Sequence, residues 1–213
     1  MAAGLTVVID YGTCNTDSMV RALEECGATQ VVRSRDPRDV DKADRVVLPG
    51  VGNFAAAMRN LTHYGLVEPL REAGSSRAKP FLGACLGMQL MADEGTEGGG
   101  ADPVRGLGLV EGSVDRLVPA SKDERIPHIG WNEVVAKPGS QMFAGVPAHA
   151  DFYFVHSFHI RLTDPAAEAG RTPFCGGFTS AIEVPGRPIF GAQFHPEKSQ
   201  KSGFRLLRSF LAA

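Results

Sequence analysis

The stretch PFLGACLGMQL, residues 80–90, places one cysteine between two glycines where an apolar run meets a helical pattern. KPFLGAC, 79–85, reads as a strand, and LGMQLMADE, which follows it, reads as a helix. Gly83 and Gly87, two places either side of Cys85, leave room for the tight backbone approach of a strand-to-helix turn. On such a turn a sulfur is held out of the chain. The first amides of the helix point at it, and the positive end of the helix dipole favours thiolate over thiol. The competing reading is a small buried hydrophobe, because free cysteine is among the most buried residue types. Cys14, Cys26 and Cys175 lack this context and take the second reading.

Upstream of this turn, strands alternate with helices. LTVVID, 5–10, is an apolar run that reads as a buried first strand. A helix is expected from Thr16 to Cys26, with Asn15 or Thr16 as cap and Gly27 as stop. TQVVRS, 29–34, and ADRVVLPGVGNF, 43–54, give two more strands, the latter running into a glycine loop. Helices follow over 55–61 and near 67–73. This β-α-β-α order with short links predicts an α/β fold, an open, mostly parallel sheet with helices on both faces.

Downstream of Glu94 the pattern changes. GTEGGGADPVRG, 95–106, is glycine-rich and is expected to be a loop. Leu107 to Phe194 reads mostly as strands with turns such as VPGRP between them, which predicts antiparallel hairpins at the sheet edge or beneath it. SQKSGFRLLRSFLAA, 199–213, repeats apolar residues at Phe204, Leu207 and Leu211, with Leu206 and Phe210 beside them, and so predicts an amphipathic helix packed on the sheet. Residues 1–213 are expected to form a single domain.

Composition narrows the function. A net charge of −2 over 213 residues gives no electrostatic case for nucleic acid or an anionic membrane. No apolar run is long enough to span a bilayer, and MAAGLTVVIDYG does not read as a secretory leader. Four cysteines without a Cys-x-x-Cys pair predict neither a disulfide scaffold nor structural zinc, and hence a cytoplasmic protein with reduced thiols. No metal or cofactor is expected, and neither a dinucleotide fingerprint nor a P-loop occurs.

A thiol that attacks an amide needs a base to manage its proton. Of six histidines, His195 stands apart, in FGAQFHPEKSQ, 190–200. An apolar strand ends there, and in extended backbone residues i and i+2 point the same way, so Glu197 can accept from one ring nitrogen and leave the other for sulfur. Pro196 removes a donor and resists helix. The alternative is a helix entry with a surface histidine. Both segments lie at strand ends, which a parallel sheet gathers at one edge. LPGVGNF, 48–54, adds a glycine loop after another strand; Gly50, Val51 and Gly52 can direct amides at a developing tetrahedral oxygen, or form a plain turn.

PGVG, GACLGMQL and QFHPEKSQ, in that order, resemble the class I (triad-type) glutamine amidotransferases almost end to end. The resemblance implies that Cys85 attacks the side-chain amide of L-glutamine, giving a γ-glutamyl thioester and ammonia, with His195 shuttling the proton and Glu197 orienting it. It implies that Gly50, Val51 and Gly52 form the oxyanion strand, with the amide of Leu86 as second donor. Gln89, Glu97 and the backbone around His156, Ser157 and Phe158 would hold the amino-acid end of glutamine. IPHIGWNEV, YFVHSF and HPEKSQ are most similar to glutaminase subunits that form a heterodimer with a (β/α)8-barrel cyclase of histidine biosynthesis and pass it ammonia. Trp131, Tyr153 and Lys198 match positions at or near that docking surface. The alternatives are a triad glutaminase serving anthranilate, aminodeoxychorismate or pyridoxal phosphate synthesis, a γ-glutamyl peptidase, or a catalytically silent regulatory subunit. The family usually has glycine where this chain has Cys14; a positive φ there would cost on the order of 1 kcal/mol. Because a glycine loop can hold a peptide in two orientations, the isolated chain is expected to be nearly idle until a partner turns an amide inward.

Overall fold

The computed structural model describes residues 2–213. Its first half runs β1 (Ala2–Ile9), α1 (Thr16–Glu25), β2 (Ala28–Ser34), α2 (Pro37–Lys42), β3 (Arg45–Gly50), α3 (Phe54–His63), α4 (Val67–Gly74), β4 (Phe81–Cys85) and α5 (Leu86–Leu90). Every residue of β4, and all but the first of β3, is buried, as expected of strands covered on both faces. The helix α2 has no apolar periodicity to announce it, since only Val40 is buried; Asp36 caps it by accepting from the Arg38 amide, and Pro37 opens it.

The second half runs β5 (Glu94–Gly95), β6 (Val104–Arg105), β7 (Gly112–Arg116), β8 (His128–Ala136), β9 (His149–His156), β10 (Phe158–Leu162), β11 (Glu168–Thr172), β12 (Phe178–Glu183), β13 (Ile189–Ala192) and α6 (Gln200–Leu211). The main sheet has nine strands in the order β2-β1-β3-β4-β13-β12-β11-β8-β9. It is parallel from β2 through β13 and antiparallel beyond. A second sheet, β10-β7-β5-β6, stands apart from it.

This second sheet is where the structure departs from the sequence pattern. DFYFVHSFHIRL reads as one strand, but the chain leaves the main sheet at Ser157: β9 pairs with β8, and β10 pairs with β7. The Ser157 carbonyl accepts from the Leu117 amide at 2.8 Å, which ties the crossing point down. The ends of the glycine-rich 95–106 segment also pair, Glu94 with Arg105 and Gly95 with Val104.

Two apolar layers cover the main sheet. Val7, Leu48 and Phe81 pack with Leu61 of α3 and Leu70 of α4. Val8, Leu82 and Phe190 pack with Leu23 of α1 and Leu207 and Phe210 of α6. The alternation of Val7 with Val8, and of Phe81 with Leu82, is the two-residue period of a strand buried on both sides.

Candidate active site

β3, β4 and β13 lie side by side, with Gly50 opposite Cys85 and Ala84 opposite Ala192. The register brings the three glycine- and histidine-bearing motifs to one sheet edge. Cys85 ends β4 and caps α5 at φ 53° and ψ −114°. A non-glycine residue held there stores roughly 1–3 kcal/mol of backbone strain. The two flanking glycines are required for space rather than for φ. A Cβ at Gly87 would run into the Leu48 carbonyl oxygen, and one at Gly83 would meet the Met91 sulfur and come within 2.8 Å of Met88 Cα.

The Cys85 side chain is nearly covered, at 5% exposure. Its sulfur lies 4.0 Å from the Val155 carbonyl and 3.9 Å from Nε2 of Gln193. His195 follows β13 and is anchored by its amide, which donates to Tyr153 O at 2.9 Å, and by its carbonyl, which accepts from the Ser199 hydroxyl at 2.6 Å. Its Nδ1 is 2.8 Å from Glu197 Oε1, and both side chains are at least nine-tenths buried. Burial opposes a charged ring, but the neighbouring Cys85 sulfur and the Glu197 carboxylate outweigh it and push His195 up to about 10. His195 Nε2 makes no hydrogen bond of good geometry, and so is the nitrogen left for the sulfur.

One element of the sequence argument needs correction. His195 is extended, at φ −96° and ψ 98°, but Pro196–Lys198 is a 3-10 turn rather than more strand. The Lys198 amide donates to His195 O and the Ser199 amide to Pro196 O, both at 3.1 Å. Proline suits the first position of a helical turn because its missing N–H is not needed there. The turn, not strand periodicity, brings Glu197 back to the ring.

A cavity of about 180 Å³ opens beside the sulfur, lined by Val51, Gly52, Cys85, Leu86, Gln89, Glu97, Val155, His156, Ser157 and Phe158. A larger hollow of about 420 Å³ between Lys137–Gln141 and Glu183–Arg187 contains no part of the cysteine–histidine set. Gln89 Nε2 donates to Phe158 O at 2.8 Å and to Gln193 Oε1 at 3.0 Å. Glu97 accepts from the Phe54 amide at the start of α3 at 2.8 Å, and burial raises its pKa. The His156 ring is buried, with Nδ1 2.8 Å from Phe158 O, and burial pushes it down to about 3; His156, Ser157 and Phe158 line the cavity. Gly50 lies behind the cavity, where a Cβ would strike the Tyr11 hydroxyl. Among the described residues, no group of three or more His, Cys, Asp or Glu could hold a metal ion, and no helix is long and apolar enough to cross a membrane.

The glutamine amidotransferase class-I family model matches residues 7–213. This chain belongs to the class I glutamine amidotransferase family. It is 45% identical over 212 residues to the imidazole glycerol phosphate synthase subunit HisH of Rhodospirillum rubrum, with 96% of each chain covered. It is 43% identical over 205 residues to the protein of the same name from Aquifex aeolicus, covering 96% of this chain and 95% of that one. Among solved structures, one described as a glutamine amidotransferase superposes with a TM-score of 0.73 at 16% identity, covering 97% of this chain and 99% of that one, and shows the same fold.

The Gly50–Gly52 peptide, where an oxyanion site is expected, is tied down at one point. The Val51 amide donates to Thr13 O at 3.2 Å, so it is not free to meet an oxygen in the site. Gly52 has φ +107°, and nothing lies within 4 Å of a Cβ built on it. Cys14, next to Thr13, is not in the left-handed region; Gly12 takes φ +92° instead, so the expected strain at Cys14 is absent.

Outside the cavity, Trp131 on β8 lies opposite Tyr153 on β9, with ring centroids 6.0 Å apart, and Tyr153 in turn lies 6.5 Å from the His195 ring. Trp131 is 49% and Ile129 61% exposed, and Lys198 is exposed at the rim. Sequence reasoning missed Gln193 and His128. Gln193 lies two residues before His195, and that spacing along one strand was the available signal. His128 had none, since its partner His156 is 28 residues away.

Proposed function

We propose that this chain is the glutaminase subunit of imidazole glycerol phosphate synthase. It hydrolyses the side-chain amide of L-glutamine and passes ammonia to a (β/α)8-barrel cyclase subunit, which makes imidazole glycerol phosphate and aminoimidazole carboxamide ribotide in histidine biosynthesis. The observation that carries this reading is the small cavity beside Cys85, backed by the buried His195–Glu197 pair. Relatives named as this subunit, similar over nearly their whole length, point to the same partner.

Cys85 sulfur bonds to the amide carbon, and the carbonyl becomes a tetrahedral oxyanion. The amide of Leu86, the first residue of α5, and one from the Gly50–Gly52 peptide receive that charge. His195 protonates the departing nitrogen as the C–N bond breaks, releasing ammonia and leaving a thioester. It then takes a proton from water, whose oxygen attacks the thioester and frees glutamate and the thiolate. Glu197 holds the ring so that Nε2 serves the sulfur. Gln89, Glu97 and the backbone at His156, Ser157 and Phe158 hold the amino-acid end.

The Val51–Thr13 hydrogen bond gives the chain a resting state with one donor missing. Docking of the cyclase on the Trp131–Tyr153–Lys198 face breaks it and turns the peptide inward. Residues 1–213 act as one cytoplasmic amidotransferase domain. Steady-state glutamine hydrolysis, measured for the chain alone and with the cyclase and its ribonucleotide ligand, should rise on the order of 10²–10³-fold, the usual value of one oxyanion donor. Equal rates would refute the switch. Failure to co-purify with a barrel cyclase, or to support its glutamine-dependent product, would refute the assignment.

A further inference from the structure

A line of hydrogen-bonding groups runs from β8, the neighbour of the edge strand β9, to the Cys85 sulfur. Asn132 Nδ2 is 3.2 Å from His128 Nε2, His128 Nδ1 is 3.0 Å from His156 Nε2, and His156 Nδ1 is 2.8 Å from Phe158 O. The same carbonyl accepts from Gln89 Nε2, which also donates to Gln193 Oε1, and Gln193 Nε2 lies 3.9 Å from the sulfur.

The chemistry of each group forces the direction of every bond. A carbonyl only accepts, so His156 carries its proton on Nδ1. Burial keeps His156 neutral, with its pKa pushed down to about 3, so its Nε2 must accept and His128 must donate from Nδ1. Burial likewise holds His128 down to about 4, so its Nε2 accepts from the Asn132 amide. Asn132 cannot turn over, because its Oδ1 is held by the Glu133 amide at 2.8 Å. At the far end, Gln89 spends one N–H on Phe158 and the other on Gln193 Oε1, which leaves the NH₂ of Gln193, not its oxygen, facing the sulfur. Gln193 is wholly buried, and His128 is stacked on Phe154 and Phe174, at 4.8 and 4.1 Å between centroids.

We propose that Gln193 is a positioning residue that donates a hydrogen bond to the Cys85 sulfur, and that its orientation is set by Gln89, whose NH₂ is held by the Phe158 carbonyl to which His156 also donates. The proposal rests on the reading of Cys85 as the nucleophile. The contact is long for a thiol, and shortens as the sulfur gains charge. A reversed amide would set a carbonyl oxygen against that charge.

Two measurements on the full chain test it without glutamine turnover. The first is proton–nitrogen NMR of the Gln193 side-chain amide in the unmodified protein. Its NH₂ protons should exchange slowly with solvent and shift when Cys85 is alkylated; resonances that do not respond to the loss of the thiolate overturn the proposal. The second follows iodoacetamide alkylation of Cys85 across pH, read on the Cys85 peptide by mass spectrometry, in the wild type and in Gln193→Met. The substitution removes the donor but leaves in place His195 with its partner Glu197, the Tyr11 phenol, and Glu97 and His156 of the cavity wall. The profile should move up by about one pH unit, the size expected for losing one hydrogen bond to an ionised group. An unchanged profile overturns the proposal. Should Gln193→Met fail to fold, the response of the Gln193 amide to alkylation still decides it. Because neither readout needs the cyclase or glutamine, a chain that fails to hydrolyse glutamine yet shows both signatures loses the proposed function and keeps this inference.

Discussion

The two halves of the main sheet do different work. The parallel strands β2-β1-β3-β4-β13 carry the groups we propose react: the Gly50 peptide, Cys85 and His195 stand at or just past the ends of three adjacent strands. The antiparallel strands β12-β11-β8-β9, with the second sheet, deliver what those groups act against. They supply the Val155–Phe158 wall, the exposed Trp131–Tyr153 face and the buried histidine pair. The parallel half is packed down to backbone contact around the nucleophile, whereas β8 is open, with nothing within 4 Å of a Cβ built on Gly130. A rigid half positions the sulfur, and a half with an exposed face is free to receive a partner.

The largest effect expected separates chemistry from delivery. Cys85→Ala should lower glutamine-dependent synthesis by the complex on the order of 10⁶-fold, while synthesis fed by free ammonium stays intact; loss of the ammonium-fed reaction would mean the mutation reached beyond the nucleophile. Within the pair that serves the sulfur, His195→Ala should cost roughly 10–100 times more in kcat than Glu197→Gln, because a base contributes more than the group that orients it. An equal loss would give Glu197 a role beyond orientation.

Stability tests the packing contrast. Gly87→Ala drives a methyl into the Leu48 carbonyl and should cost about 3 kcal/mol or more, whereas Gly130→Ala, at φ +134° with open space, should cost about 1 kcal/mol. Denaturant midpoints of the two variants give the comparison, and similar values would erase it. The last effect, of similar size, concerns acid. His156 stays neutral in the fold down to about 3 but takes a proton near its ordinary value, 6.5, when the chain unfolds. Between these values the unfolded chain binds more protons, so this contribution is full above 6.5 and is lost as pH falls toward 3. From pH 7 to 5 the chain should lose about 1–2 kcal/mol through His156, and His156→Gln should flatten that slope.

The parallel half was the legible one. Its strands are buried on both sides and read as continuous apolar runs, and the glycines around Cys85 mark a close approach that only a missing Cβ permits. The helix α2 was invisible because it is held by a cap and buries only Val40. The break at Ser157 was invisible because the residues on both sides of it favour strand, and pairing partners, not propensity, decide where one strand becomes two. The Glu197 turn was misread as strand although its proline fits both.

Local chemistry along the chain therefore determined which residues can react: a cysteine on a turn with no room for side chains beside it, a histidine two places from a carboxylate, a glycine-rich peptide after a strand. Tertiary structure alone decided what surrounds them. Gln193 meets Gln89, His128 meets His156 and Thr13 meets Val51 only because the sheet closes gaps of 104, 28 and 38 residues. Hydrogen bonds of that kind leave no period in a sequence, because each depends on two segments whose spacing along the chain is set by what lies between them.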